Sequence, residues 1–253
     1  MKLIVNGDDF GFSKEINSNI IKCHNDGILT STTLIAYGKG FTEAVALAES
    51  HPKLGVGIHL ILDGDFKLIN TPSSLIDCRT GYFYKYSDVV KKITSGSFSH
   101  SDLVQEYSCQ IEKILDAGVQ ITHLDHHHHL HRYFPVLKAV MEVSKKYNIQ
   151  YVRPQRIISL DKMSFYKKVY RELHHFYLKR KCKSIDGYFG LFSSSKYIMR
   201  KKFEYALASN KKVIELMVHP SKENGEIDFL TDKDIISLCR NKLTNYGELQ
   251  VKG

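Results

Sequence analysis

The chain has 253 residues, no tryptophan, five scattered cysteines and a formal net charge of +9. This length allows one large α/β domain or two small ones. No stretch reaches the roughly 18 uninterrupted apolar residues that a membrane-spanning helix needs, and the first residues lack the basic and apolar regions of a secretion signal. Because the cysteines form no CxxC pair, we expect reduced thiols and a cytoplasmic protein.

Apolar, strand-like runs alternate with amphipathic, helix-like segments along the chain. Strands are predicted at 3–6, 32–36, 54–58 and 119–122, near residues 151 and 187, and at 213–218. Helices are predicted at about 14–25, 41–50, 101–117, 134–147, 160–181, 196–208 and 231–243. Residues 63–96 are looser, and we expect an insertion over one face there. The repeated strand–helix units favour a single α/β domain over residues 1–253 with a parallel sheet.

Ionisable side chains follow five of the predicted strands at the same relative position. They are Asp8 and Asp9, then His59, then Asp125 and His127, then Arg153, and finally His219. In a (β/α) barrel, catalytic groups collect at the carboxyl ends of the strands. This shared position therefore favours a TIM-like barrel of seven parallel strands over a doubly wound sheet. Taken singly, each of these residues is as easily a helix cap or a turn residue.

The segment His123-Leu-Asp-His-His-His-His-Leu-His131 crowds imidazoles and a carboxylate behind the strand predicted at 119–122. Imidazole and carboxylate ligands suit a first-row divalent metal such as zinc, although a solvated, His-rich loop has the same composition. Asp9, His59 and one His of this tract would form a three-ligand site with open positions, which is typical of catalytic metal sites. Asp125 is placed to orient one of the His ligands.

Two further residues could move protons beside such a metal. Adjacent side chains of a strand point in different directions, so one of Asp8 and Asp9 can bind the metal while the other accepts a proton from the attacking water. His219, followed by Pro220, can act as the general acid for the leaving group. The alternatives are an ordinary Asp-Asp turn and a strand-end His without a role.

Four segments resemble those of the YdjC-like carbohydrate deacetylases, a family that includes the chitooligosaccharide deacetylases. They are NGDDFG at 6–11, GIHL at 57–60, THLDHHHHLH at 122–131 and ELMVHP at 215–220, in the family's order and spacing. The family's usual forms are NADDFG, THLDSHHHVH and EhMCHP, so Gly7, His126 and Val218 are departures. The additional imidazole of His126 leaves the choice of ligand within the tract open.

The resemblance implies a distorted barrel, one divalent metal ion (Zn or Mg), and hydrolysis of the N-acetyl group of an amino sugar with release of acetate. It implies that Asp9, His59 and His127 are the metal ligands, that Asp8 is the base, and that His219 is the His of the HP motif. Three more side chains are expected to support the ligands or contact the substrate: Asp125, Arg153 and His129.

Two other functions remain open at this stage. A metal-dependent phosphoesterase on a similar barrel would suit the positive charge, but such sites gather more ligands for two or three metals. A nucleic-acid-binding protein would suit residues 167–183, which are basic with interleaved aromatic residues, although such a segment is more often the solvated face of a barrel helix. We expect an N-acetylated sugar as the substrate, no nucleic acid and no membrane span, and we leave a homodimer open.

Overall fold

The structure is a computed structural model that describes residues 1–67, 74–193, 195–221 and 223–251. Its strands are β1 (Lys2–Phe10), β2 (Ser31–Leu34), β3 (Gly55–Leu60), β4 (Ile76–Asp77), β5 (Tyr82–Phe83), β6 (His123–His126), β7 (Tyr151–Val152), β8 (Gly187–Gly190) and β9 (Val213–Val218). Its α-helices are α1 (Lys14–Asp26), α2 (Phe41–Ser50), α3 (Tyr86–Thr94), α4 (His100–Asp116), α5 (Phe134–Lys146), α6 (Phe165–Lys179), α7 (Lys196–Leu207), α8 (Glu226–Leu230), α9 (Lys233–Cys239) and α10 (Tyr246–Val251). A 3₁₀ helix spans His127–Arg132.

Seven parallel strands form one curled sheet in the order β7-β6-β3-β2-β1-β9-β8. Residues that follow β7 approach β8 at the other edge, because the Tyr188 N–H donates to the Arg156 carbonyl and the Ile158 N–H donates to the Tyr188 carbonyl. Most residues of these seven strands are buried, as expected where helices cover a parallel sheet. The predicted seven-stranded, TIM-like barrel is confirmed; that residues 1–253 form one domain stays a prediction.

The strand predicted at 119–122 begins later, at His123. Parallel pairing with β3 and β7 decides this boundary, since Leu124 lies opposite both Ile58 and Val152. The first part of the His tract is therefore a buried strand, and the loop with its 3₁₀ helix begins only after His126. A tertiary contact, rather than local composition, fixes which imidazoles face the interior.

The region predicted to be a loose insertion has more structure than expected. It contains the antiparallel β4–β5 hairpin and the helix α3, which buries Val89 and Ile93 in the core. That this region is an insertion over one face stays a prediction, and residues 68–73 lie outside the described ranges.

Two of the predicted helices have different bounds. Helix α6 begins at Phe165 instead of about residue 160. The helix predicted at 231–243 is shorter and forms α9 (Lys233–Cys239), which the Asp232 side chain caps by accepting from the Asp234 and Ile235 N–H groups. The short helix α8 (Glu226–Leu230) precedes it and was not predicted. Within the described ranges, no helix is long and apolar enough to cross a membrane.

Candidate active site

Both adjacent aspartates of β1 reach the same end of the barrel because the strand is irregular there. The pairing of β1 with β2 shifts register between Gly7 and Phe10, and Asp9 has a φ of 68°. In a regular strand the two carboxylates would point to opposite faces, whereas a bulge with a left-handed residue redirects one of them. Asp8 stays buried, and the Asp9 carboxylate turns towards His59 and His127.

Asp9, His59 and His127 converge on one point. The distances are 3.3 Å from His59 Nε2 to Asp9 Oδ1, 3.0 Å from His127 Nδ1 to the same oxygen, and 3.2 Å between the two nitrogens. Ligand atoms about 2.0–2.2 Å from a tetrahedral zinc ion are about 3.4 Å apart, so the spacing fits such an ion. The structure thus brings together the three residues that the sequence nominates as ligands, and they could hold a metal.

The buried Asp125 carboxylate orients His59. The His59 Nδ1–H donates to Asp125 Oδ1 at 2.6 Å, and the Thr33 hydroxyl donates to Asp125 Oδ2 at 3.1 Å. This arrangement directs the lone pair of His59 Nε2 at Asp9 and His127, as in carboxylate–histidine–metal sites. Burial disfavours the imidazolium, but the negative charges of Asp125, Asp8 and Asp9 outweigh it and raise the pKa of His59 to about 9. The surroundings of Nε2 therefore favour a positive charge.

A fully buried guanidinium, that of Arg153, lies at the centre of the acidic cluster. It donates to both oxygens of Asp8 at 2.8 and 2.6 Å and to Glu215 Oε1 at 2.7 Å, and its Nη1 lies 2.7 Å from Asp125 Oδ2. The Tyr246 hydroxyl donates to the other oxygen of Glu215. Arg153 has no exposed surface, so it supports the carboxylates and does not offer a free surface to a substrate.

Asp8 is held as an anion. Burial alone would raise its pKa, but the Arg153 guanidinium outweighs that and lowers the pKa of Asp8 well below its usual value. His219 Nε2 lies 3.9 Å from Asp8 Oδ2, and its side chain is 44% exposed. Glu226 fixes the His219 backbone by accepting from its N–H. The predicted base and the predicted acid thus lie side by side, one buried and one open to solvent.

The imidazoles of the tract divide between the site and the core. The His126 Nδ1–H donates to the carbonyl of His127, and His126 Nε2 accepts from the Tyr107 hydroxyl. Burial lowers the pKa of His126 to about 3, so this ring is neutral. Both of its nitrogens have partners other than Asp9, which are the His127 carbonyl and the Tyr107 hydroxyl. His126 left the choice of ligand open in the sequence, and in the structure it is a packing residue.

His123 is also part of the core. Its ring stacks on Tyr246 with centroids 3.9 Å apart, and its Nε2 lies 3.0 Å from Asn6 Oδ1. A Cβ atom at Gly57 would lie 2.5 Å from this ring. The glycine of the GIHL segment is therefore required by the approach of His123.

The remaining imidazoles surround the triad without joining it. His128 is exposed and lies 2.7 Å from Asp63 Oδ2. His129, predicted to support the site or contact substrate, packs beside Tyr188, and burial lowers its pKa to about 3. His131 is fully buried with its Nε2 3.0 Å from the carbonyl of Arg153.

Sequence reasoning missed several supporting residues because they occur within apolar strands. Asn6 donates to Asp8 Oδ1 at 2.9 Å, and Thr33 links Asp125 to His59. Glu215 accepts hydrogen bonds from Arg153 and from the Tyr246 hydroxyl. The available signal was a polar residue inside a strand that is otherwise apolar, since such groups are buried only with partners.

Comparison with known proteins shows the family of the chain. The model of a family described as YdjC-like protein matches residues 2–249, and the chain belongs to that family. It is 32% identical over 266 residues to a carbohydrate deacetylase of Clostridium beijerinckii, covering 98% of this chain and all of the relative. It is 31% identical to a carbohydrate deacetylase of Thermoanaerobacter pseudethanolicus, with 98% and 99% covered.

Solved structures show the same fold. A protein of Enterococcus faecalis, provisionally described as a cellobiose-phosphate cleavage protein, superposes with a TM-score of 0.80 at 25% identity over 98% of both chains. A lactam utilization protein of Thermus thermophilus superposes with a TM-score of 0.53 at 13% identity, covering 97% of this chain and 99% of that one, and shares the fold alone.

We expect the Arg153→Met variant to lose about 3–5 kcal/mol of the free energy of unfolding, since methionine leaves buried carboxylates without their partner. Urea denaturation at neutral pH measures the loss. The matched control is Arg156→Met, which removes an arginine paired with the exposed Glu172 and should cost at most about 1 kcal/mol. Equal losses in the two variants would contradict the central role of Arg153.

Proposed function

We propose that this protein is a metal-dependent carbohydrate N-deacetylase, which hydrolyses the N-acetyl group of a GlcNAc-type sugar or chitooligosaccharide and releases acetate. The observation that carries the proposal is the convergence of Asp9, His59 and His127 beside Asp8 and His219. The curated relatives that match almost the whole chain are carbohydrate deacetylases, which supports the substrate class.

Asp9, His59 and His127 would hold the divalent metal ion. Two imidazole nitrogens and one carboxylate suit zinc better than magnesium, which prefers oxygen ligands. When bound, the metal would lower the pKa of a water and polarise the acetyl carbonyl. Asp125 keeps the His59 tautomer that this ligand set needs.

The two remaining residues would move the protons. Asp8, kept ionised by Arg153, would accept the proton of the attacking water, and the fixed guanidinium would hold its carboxylate in place. His219, open to solvent at the same end of the barrel, would protonate the nitrogen of the sugar, because an amine leaves readily only in neutral form.

The second acidic cluster argues against a two-metal phosphoesterase. Among the described residues, the other group with metal-ligand spacing is Asp8, His59 and Asp125. It shares His59 with the first group, and both of its aspartates are paired with Arg153. A guanidinium already provides the positive charge there, so the geometry favours one metal.

We expect His59→Ala and His127→Ala each to reduce the bound metal to well below one ion per chain, because each removes a ligand. Elemental analysis of the purified proteins measures this. His128→Ala is the matched control, since it removes an exposed imidazole of the same tract and should leave the metal content unchanged. Full metal retention in both ligand variants would refute the assignment.

Acetate release from N-acetylated saccharides of different lengths should be abolished by a chelator and restored by added metal. Asp8→Asn should bind metal normally and lose about 10²–10⁴-fold in turnover, which is the usual contribution of a general base. Asp88→Asn, at an exposed carboxylate of α3 paired with Lys91, is the control and should retain most activity. Metal loss in Asp8→Asn would instead make Asp8 a ligand.

We expect His219→Ala to bind metal normally and to turn over N-acetyl sugars slowly. Without the imidazole to protonate it, the nitrogen of the sugar would have to leave as an anion. An acetate ester analogue, whose leaving group needs less protonation, should be affected much less. Steady-state rates on the two substrates provide the comparison. An equal loss on both would show that His219 positions the substrate or supports the oxyanion.

A further inference from the structure

Helix α6 presents its apolar side to solvent. Phe165, Val169, Leu173 and Phe176 are spaced by four, four and three residues, so they lie along one line of the helix. Phe165, Leu173 and Phe176 are 74%, 58% and 66% exposed. A helix that only covers a barrel shows the reverse arrangement, with its apolar stripe inward. An exposed apolar row of this extent indicates an interaction surface.

The inner face of α6 is comparatively polar, so this helix reverses the usual arrangement of an apolar inner face and a polar outer face. It buries His174, His175 and Leu178 against the barrel. Tyr166 and Tyr170 are also exposed and widen the apolar row of Phe165, and Tyr166 is 84% exposed. The helix thus exposes its larger apolar side chains to solvent while imidazoles anchor it to the barrel.

Positive charge surrounds this apolar row. Exposed basic residues lie in and just after α6: Lys167, Lys168, Lys179, Arg180, Lys181 and Lys183. The only acidic residue of the segment 165–183 is Glu172, and it is paired with Arg156. The partner of this surface must therefore combine apolar contact with negative charge.

A basic groove beside α6 extends the positively charged surface. It has a volume of about 580 Å³ and is lined by residues of α4, α5 and α6 with the loop that follows: His100, Lys138, Met141, Glu142, Lys145, Lys146, Tyr177 and Lys181. Its one carboxylate, that of Glu142, lies 2.9 Å from His100 Nε2. The cationic area is thus wider than one helix.

We propose that α6 docks this protein on an anionic lipid surface. The Phe165–Phe176 row would enter the boundary between headgroups and acyl chains, while the lysines reach the phosphates. A single convex helix matches a flat surface. Single-stranded nucleic acid needs several ring faces on which bases stack, whereas Tyr177 is the one phenyl or phenol ring that the described part of the chain places in the lining of the basic groove. A second copy would bring two sets of like charges together. Such docking requires no membrane span.

The docking surface is connected to the catalytic end of the barrel. The Tyr170 hydroxyl donates to the carbonyl of Arg132 at 2.5 Å, and the Tyr170 ring packs on Phe134. Arg132 ends the 3₁₀ helix that begins at His127. A surface bound to α6 would therefore lie beside the segment that carries a proposed metal ligand.

Co-sedimentation of the whole protein with vesicles tests the proposal. We expect binding to vesicles of phosphatidylcholine with phosphatidylglycerol, little binding to phosphatidylcholine alone, and loss of binding at high salt. Phe165→Ser/Leu173→Ser/Phe176→Ser should lower the partition coefficient at least about tenfold. These side chains are already exposed, so the fold should be kept. Leu238→Ser, at an exposed leucine of α9, is the matched control and should bind as the wild type does.

Three results would overturn the proposal. Equal vesicle binding by the triple variant would reduce the interaction to general charge attraction. Failure to bind anionic vesicles, together with a dimeric mass by light scattering that becomes monomeric in the triple variant, would assign the surface to a second copy. Tight binding of a short single-stranded oligonucleotide that the triple variant loses would assign it to nucleic acid.

Discussion

The buried Arg153 guanidinium is the interaction on which the rest of the site depends. It joins residues from β1, β6 and β9, which are Asp8, Asp125 and Glu215. Burying several carboxylates without a cation would cost far more than their packing contributes. The arginine allows three strands to carry acidic residues to one point, and it keeps Asp8 ionised.

The same charge balance would favour a second cation in the site. Asp8 and Asp125 are paired with Arg153, and Asp9 lies against His59. The negative charge of the three aspartates outweighs burial and raises the pKa of His59 to about 9. A proton on His59 offsets that excess in part. A metal ion at Asp9, His59 and His127 would offset it more fully, and Asp125 already orients His59 for such a role.

The identical side chains of the His tract have different structural roles because of where the fold places them. His123 and His126 lie in β6 and are neutral, buried packing groups with defined partners. His127 lies one residue beyond the strand, where the chain turns into the 3₁₀ helix and the imidazole meets Asp9. Two positive-φ residues, His128 and His129, follow it and carry the chain away from the site.

The sequence by itself determined the seven-stranded barrel, through its alternating strand and helix patterns, and it nominated Asp9, His59 and one His of the tract because polar residues recur at strand ends. The choice of His127 came from the resemblance to the family. It could not separate His126 from His127, since one residue of strand register decides which ring faces the core. It could not show that Arg153 gathers carboxylates from distant strands, or that α6 turns its apolar row outward. Those features depend on which surfaces the barrel brings together, and contacts between residues far apart in the chain leave no local pattern to read.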